Sequence, residues 1–129
     1  MTYKNIYMNL QSLERKAVEA GVFWVPQTGA GCAIGLGLPG VIPFLSKKRS
    51  EDLFSLLGVN CLVESGFNEF EGMTLKEARS LQGYNDRCIG EYLCDTKTSL
   101  VLGNRPFKRY ELVMSWLEQK IKEEDGTYV

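Results

Sequence analysis

Apolar residues recur every three to four positions at the start of the chain: Ile6, Leu10, Leu13 and Ala17. Lys4, Glu14, Arg15, Lys16 and Glu19 lie around them. That period predicts an amphipathic helix over residues 3–20, stopped by Gly21. Val22-Phe23-Trp24-Val25 is β-branched and aromatic, which predicts a strand ended by Pro26. Gln27 to Gly31 has turn composition. Cys32-Ala33-Ile34 is either the returning strand of a hairpin or the start of a buried helix, and the run is too short for its period to decide. Gly35 to Leu45 is apolar, broken by Gly37, Pro39, Gly40 and Pro43, and Lys47-Lys48-Arg49 restores charge.

Ser50 is placed to cap a second helix, Ser50 to Leu57, with Glu51 and Asp52 in its first turn and Gly58 at its end. Cys61-Leu62-Val63 reads as a strand or an extended link, and Phe67 to Gly72 as a loop. Thr74-Leu75-Lys76-Glu77 fits a capping box, in which each side chain reaches the other residue's backbone N–H. It opens a helix through Leu81 that stops near Gly83. Tyr84 to Leu93 is a further short helix, with Asn85 or Asp86 as its cap, and Leu100 to Leu102 is extended. Asn104 caps the last helix and Pro106 sits in its first turn, where proline loses no intrahelical hydrogen bond. That helix runs to about Glu123 with Phe107, Tyr110, Met114, Leu117 and Ile121 on one stripe, widened by Val113 and Trp116. Residues 124–129 fray. These elements predict one small α+β domain over residues 1–129, with four or five helices and a short β-hairpin near residues 22–34.

Composition narrows the chemistry. The 129 residues include no histidine, 15 Lys+Arg and 16 Asp+Glu, for a net charge of −1. Without histidine there is no Ser-His-Asp triad, no Cys-His dyad and no histidine-ligated zinc. The charge balance lacks the basic excess of a nucleic-acid binder. Cys32, Cys61, Cys88 and Cys94 form no C-x-x-C pair, so they read as reduced thiols in a cytoplasmic protein rather than a zinc cage. Charges within the first twenty residues leave no apolar signal segment.

The averages hide a stretch, Ala20 to Ser46, with no charge at all. A membrane reading fails on length: Gly29 to Leu45 is 17 residues, with five glycines and two prolines, against ~20 for a span. A nucleotide reading rests on Gly35-Leu36-Gly37-Leu38-Pro39-Gly40, which matches G-x-G-x-x-G. That motif works only between a strand and a helix, and the two prolines interrupt the helix it needs. The third reading is structural, a hairpin and irregular loop packed through the middle of the domain, and it is the one preferred.

Few residues remain for chemistry. Glu69 and Glu71 share a face if their segment is extended, with Glu64 nearby, which is the geometry of an acid pair or a Mg²⁺ site. Glu91 and Asp95 read as surface charges. Cys32, after a glycine turn, is the one nucleophile candidate, but no base neighbours it in sequence. Hence no catalytic set, metal site or cofactor is expected. The expectation is a small non-enzymatic, phage-encoded interaction protein that docks on a host or defence protein and blocks it in the host cytoplasm. It would bind neither nucleic acid nor membrane. Its candidate contact residues are Leu36, Leu38, Val41, Ile42 and Phe44 in the apolar loop, Asn85, Asp86 and Arg87, and Trp116. A homodimer through the C-terminal helix is a further expectation, conditional on Val113 or Trp116 facing solvent. The alternative is a small-ligand or nucleotide binder using the glycine-rich 29–40 loop.

Overall fold

A computed structural model describes residues 2–48, 58–87 and 106–124. Among the described residues the helices are, in order, α1 (Thr2–Gln11), α2 (Ala33–Gly37), α3 (Val41–Ser46), α4 (Val59–Glu64), α5 (Leu75–Arg87) and α6 (Pro106–Glu124). The helix Ser50 to Leu57, the chain beyond Arg87 to Leu93, Leu100 to Leu102, the Asn104 cap and the frayed tail beyond Glu124 lie outside the described residues. So do Cys88, Cys94, Glu91 and Asp95.

The described residues are 61% helix and contain no strand, so the α+β class and the hairpin at 22–34 are corrected to an all-helical arrangement. The β-rich run at 22–25 does enter a reversal. Val25 carbonyl accepts from Thr28 and Gly29 N–H, and Gly29 takes the left-handed φ of 73° that closes the turn. The two arms then share only isolated bonds, Val25 N–H to Ala30 carbonyl at 2.7 Å and Cys32 N–H to Val22 carbonyl at 2.9 Å. The Phe23 carbonyl packs against the glycine face of α2 rather than facing a partner strand. Ala33 and Ile34, the end of the expected returning strand, wind into α2 instead.

α2 is the centre of the packing. It rests on α1, α3 and α5, while α6 covers α1 and α5, and α4 packs on α5. Ala33, Ile34, Gly35 and Gly37 of α2 are all buried. Ile6 and Leu10 of α1, Leu38, Val41, Leu45, Leu62, Leu81, Val113 and Leu117 complete the interior. Each large aliphatic side chain removed from water contributes about 1.5–3 kcal/mol. Part of the uncharged window is therefore core, carried by Phe23 and by the buried faces of two short helices rather than by a hairpin. A charge at Ala33, Ile34, Leu38, Val41 or Leu45 would have to be buried among apolar groups, at a cost of several kcal/mol.

Three further boundaries differ from the sequence pattern. α1 ends at Gln11, not near residue 20. Lys16 Nζ donates to the Gln11 and Leu13 carbonyls at the helix end, a favourable place for a cation. The chain then crosses to α6, where Val18 N–H donates to Pro106 carbonyl at 3.1 Å. Cys61 to Val63 lies in α4, not a strand or link. α5 continues through Gly83 to Arg87, because tertiary contacts on Leu81 and Asn85 outweigh the glycine's ~1 kcal/mol preference against helix. Its start is as expected. Thr74 N–H donates to Glu77 Oε1 at 2.9 Å and Glu77 N–H to Thr74 Oγ1 at 3.1 Å.

α4 shows how a six-residue helix is held. Its last turn closes as a Schellman motif: Phe67 N–H donates to Leu62 carbonyl and Gly66 N–H to Val63 carbonyl, both at 3.0 Å. Gly66 takes the required left-handed φ of 101°, and buried Phe67 and Leu62 supply the apolar contact. The opposite end is less complete. Gly58, the N-cap, has extended backbone and offers no side-chain oxygen. Among the described residues, a Cβ there meets Gln82, at 3.7 Å. Gly58→Ser should therefore raise the unfolding free energy by about 0.5–1 kcal/mol, from an added cap and a stiffer unfolded chain. Urea denaturation reads this directly, and a lowered midpoint would contradict the cap geometry.

Candidate functional site

The polar residues singled out in the sequence converge on one buried knot. Asn85, in the last turn of α5, has no exposed surface. Its Oδ1 accepts from Ala33 N–H, the first residue of α2, at 2.9 Å. Its Nδ2 donates to Glu19 carbonyl at 2.9 Å and to Asp86 Oδ1 at 3.1 Å. Asp86 Oδ1 also accepts from Gly21 N–H at 3.0 Å. Asn85 thus caps a helix, but that helix is α2, 52 residues earlier in the chain, and not one beginning beside it.

Arg109 closes the knot from α6. It is 1% exposed, and its Nη1 donates to the carbonyls of Asn85 and, at 2.8 Å, of Asp86. These carbonyls belong to the end of α5, where helix termini leave acceptors unsatisfied and the dipole favours a cation. The sequence reading missed Arg109. Its signal was periodic: residues 109, 113 and 117 step by four, and Val113 and Leu117 are both fully buried. Phe107, placed on the apolar stripe, is instead 57% exposed beneath the Arg15 guanidinium, 5.2 Å from its ring centroid.

Cys32 is the other N-cap of α2, with its Sγ accepting from Gly35 N–H at 3.5 Å. Burial pushes its thiol up to about 12, with the nearby Asp86 charge acting in the same direction. A group in that state is protonated at neutral pH and is no nucleophile. In native protein at pH 8, iodoacetamide followed by peptide mass spectrometry should label half-buried Cys61 first and leave Cys32 unmodified until denaturant is added. Labelling of Cys32 at the Cys61 rate would show that the α2 cap opens in the native state.

The glycines of the G-x-G-x-x-G match have packing partners. A Cβ on Gly35 would lie 1.7 Å from Phe23 carbonyl oxygen, one on Gly37 would lie 2.7 Å from Ile6 Cγ2, and one on Gly40 would lie 2.0 Å from Glu69 Oε2. No strand precedes α2, and its leading N–H groups are taken by Asn85 and Cys32. Backbone approach here serves neighbouring chain segments, where the motif's chemistry would need a pyrophosphate. Glu64, Glu69 and Glu71 are exposed. Among the described residues no three side chains gather to hold a metal ion, and no helix is long and apolar enough to cross a membrane.

The expected contact residues divide by burial. Leu38 and Val41 are core, and Leu36, Ile42 and Phe44 are half-buried. Arg87 ends α5. Trp116 is half-buried, edge-on to Tyr3 at 5.5 Å and stacked on Tyr84 at 5.3 Å, with Lys120 Nζ 5.2 Å from its ring centroid. With Val113 buried as well, the apolar stripe of α6 faces the interior of its own chain.

One of the expected segments does reach solvent at a concave place. A cleft of about 170 Å³ lies between α3 and residues 66–69, lined by Gly40, Pro43, Phe44, Lys47, Gly66, Phe67, Asn68 and Glu69. Phe44 meets Phe67 edge-on at 5.3 Å, and Phe67 meets Phe70 at 4.9 Å. Lys48 Nζ stands 4.9 Å from the Phe44 ring centroid. The result is an aromatic floor with Lys47 on one rim and Glu69 on the other. No family model, curated protein or solved structure matches this chain.

Proposed function

We propose that this chain is a non-enzymatic interaction module that docks on another protein through the α3 face. The observation that supports it is the division of labour among its side chains. Cys32, Asn85, Asp86 and Arg109 make internal caps, while Pro43, Phe44 and Lys47 border an open aromatic cleft. Aromatic floors with charged rims are common anchor sites in protein recognition. The finer reading is an inhibitor, phage-encoded, of a host or defence protein in the host cytoplasm. It rests on the lack of histidine and of any other base or metal-ligand set legible in the sequence.

The test is crosslinked capture from lysates of candidate hosts with wild-type protein and with a Pro43→Arg, Lys47→Glu double variant. Both substitutions fall at exposed positions, and circular dichroism should show the helices intact. The expected result is one stoichiometric partner captured by the wild type and lost with the variant. Recovery of no stoichiometric partner overturns the reading. In parallel, saturating ATP or NAD should leave the melting temperature unchanged, since binding to the fold alone would raise it.

A further inference from the structure

We draw no further inference here: the strongest candidate, the groove of about 450 Å³ between α5 and α6 lined by Tyr3, Lys76, Glu77, Ser80, Lys120 and Glu123, carries nothing because Lys120 pairs with Glu123 and Glu77 with the Thr74 cap, and nothing in the structure shows what covers it.

Discussion

Gly35→Ala should abolish or nearly abolish folding. Helix propensity alone predicts the opposite, since alanine in a helix interior is favoured over glycine by about 0.8–1 kcal/mol. The position decides otherwise. The new methyl would stand 1.7 Å from the Phe23 carbonyl oxygen, 2.6 Å from its carbon and 3.1 Å from its Cα. All three are backbone atoms, so no rotamer change relieves the clash, and α2 must separate from the 22–25 segment. Overpacking of a core typically costs 1–3 kcal/mol and more where nothing can yield. A loss of at least about 3 kcal/mol is expected, a large part of the 5–15 kcal/mol that stabilises an ordinary domain. Urea unfolding followed by circular dichroism measures it. Gly31→Ala should behave similarly, because its Cβ would lie 2.3 Å from the same oxygen. The double variant should then lose less than the sum of the two, as one displaced carbonyl relieves both contacts. A Gly35→Ala protein with an unchanged or raised midpoint would mean that Phe23 does not cross α2 as described.

Asn85→Ala is the second large effect. The amide ties its own helix to two other segments: the start of α2 through Ala33, and the 19–21 link through Glu19 and, by way of Asp86, through Gly21. Alanine leaves the buried Ala33 N–H and the part-buried Glu19 carbonyl without this partner. Each orphaned group costs about 1–3 kcal/mol, so a total of about 2–4 kcal/mol is expected. Arg109→Met should cost a comparable amount by orphaning the α5 carbonyls, although methionine preserves much of the apolar stem. Arg109→Lys should recover only part, since its ammonium ends one bond short of the Nη1 position that donates to both carbonyls. Equilibrium denaturation of the three variants separates the cases. If Asn85→Ala lies within 0.5 kcal/mol of wild type, the usual range for surface substitutions, the buried knot is wrong.

What could be read from sequence follows how far each interaction reaches along the chain. The Thr74–Glu77 capping box was legible because both partners lie within one helical turn. The extent of α6 was legible because its apolar spacing is periodic over several turns. The start of its buried face was not, because Arg109 reads as a surface residue until the α5 carbonyls are placed beside it. Asn85 was marked as a cap, but its helix lies 52 residues away. The hairpin was misread for a related reason. β-branched residues at 22–25 state a local preference, whereas a ladder needs a partner, and the Phe23 carbonyl is packed instead against Gly31 and against Gly35 of α2. The glycine pattern at 35–40 shows that one spacing can serve two purposes, since close approach is required by a phosphate and by a neighbouring backbone alike. At the α3 cleft, Phe44 was marked from the sequence. Phe67 across from it was read as a loop residue and Glu69 as a loop-edge carboxylate or a member of an acid pair with Glu71, because their apposition to Phe44 depends on the Gly66 turn.

The pairing of α1 with α6 sets an order of events. Tyr7 hydroxyl donates to Glu118 Oε1 at 2.9 Å, and Tyr110 hydroxyl donates to Leu10 carbonyl at 3.1 Å, across 111 and 100 residues. Tyr3 meets Trp116 in the same way. Of the described helices, the one that precedes the others along the chain is thus covered by the one that follows them. Closing such long loops is entropically costly and slows folding relative to bundles built from sequential neighbours. A nascent chain emerging from the ribosome must carry Ile6 and Leu10 with part of their final cover missing until α6 arrives. Emergence of α6, rather than growth of the segments before it, is the moment at which these helices close over one another.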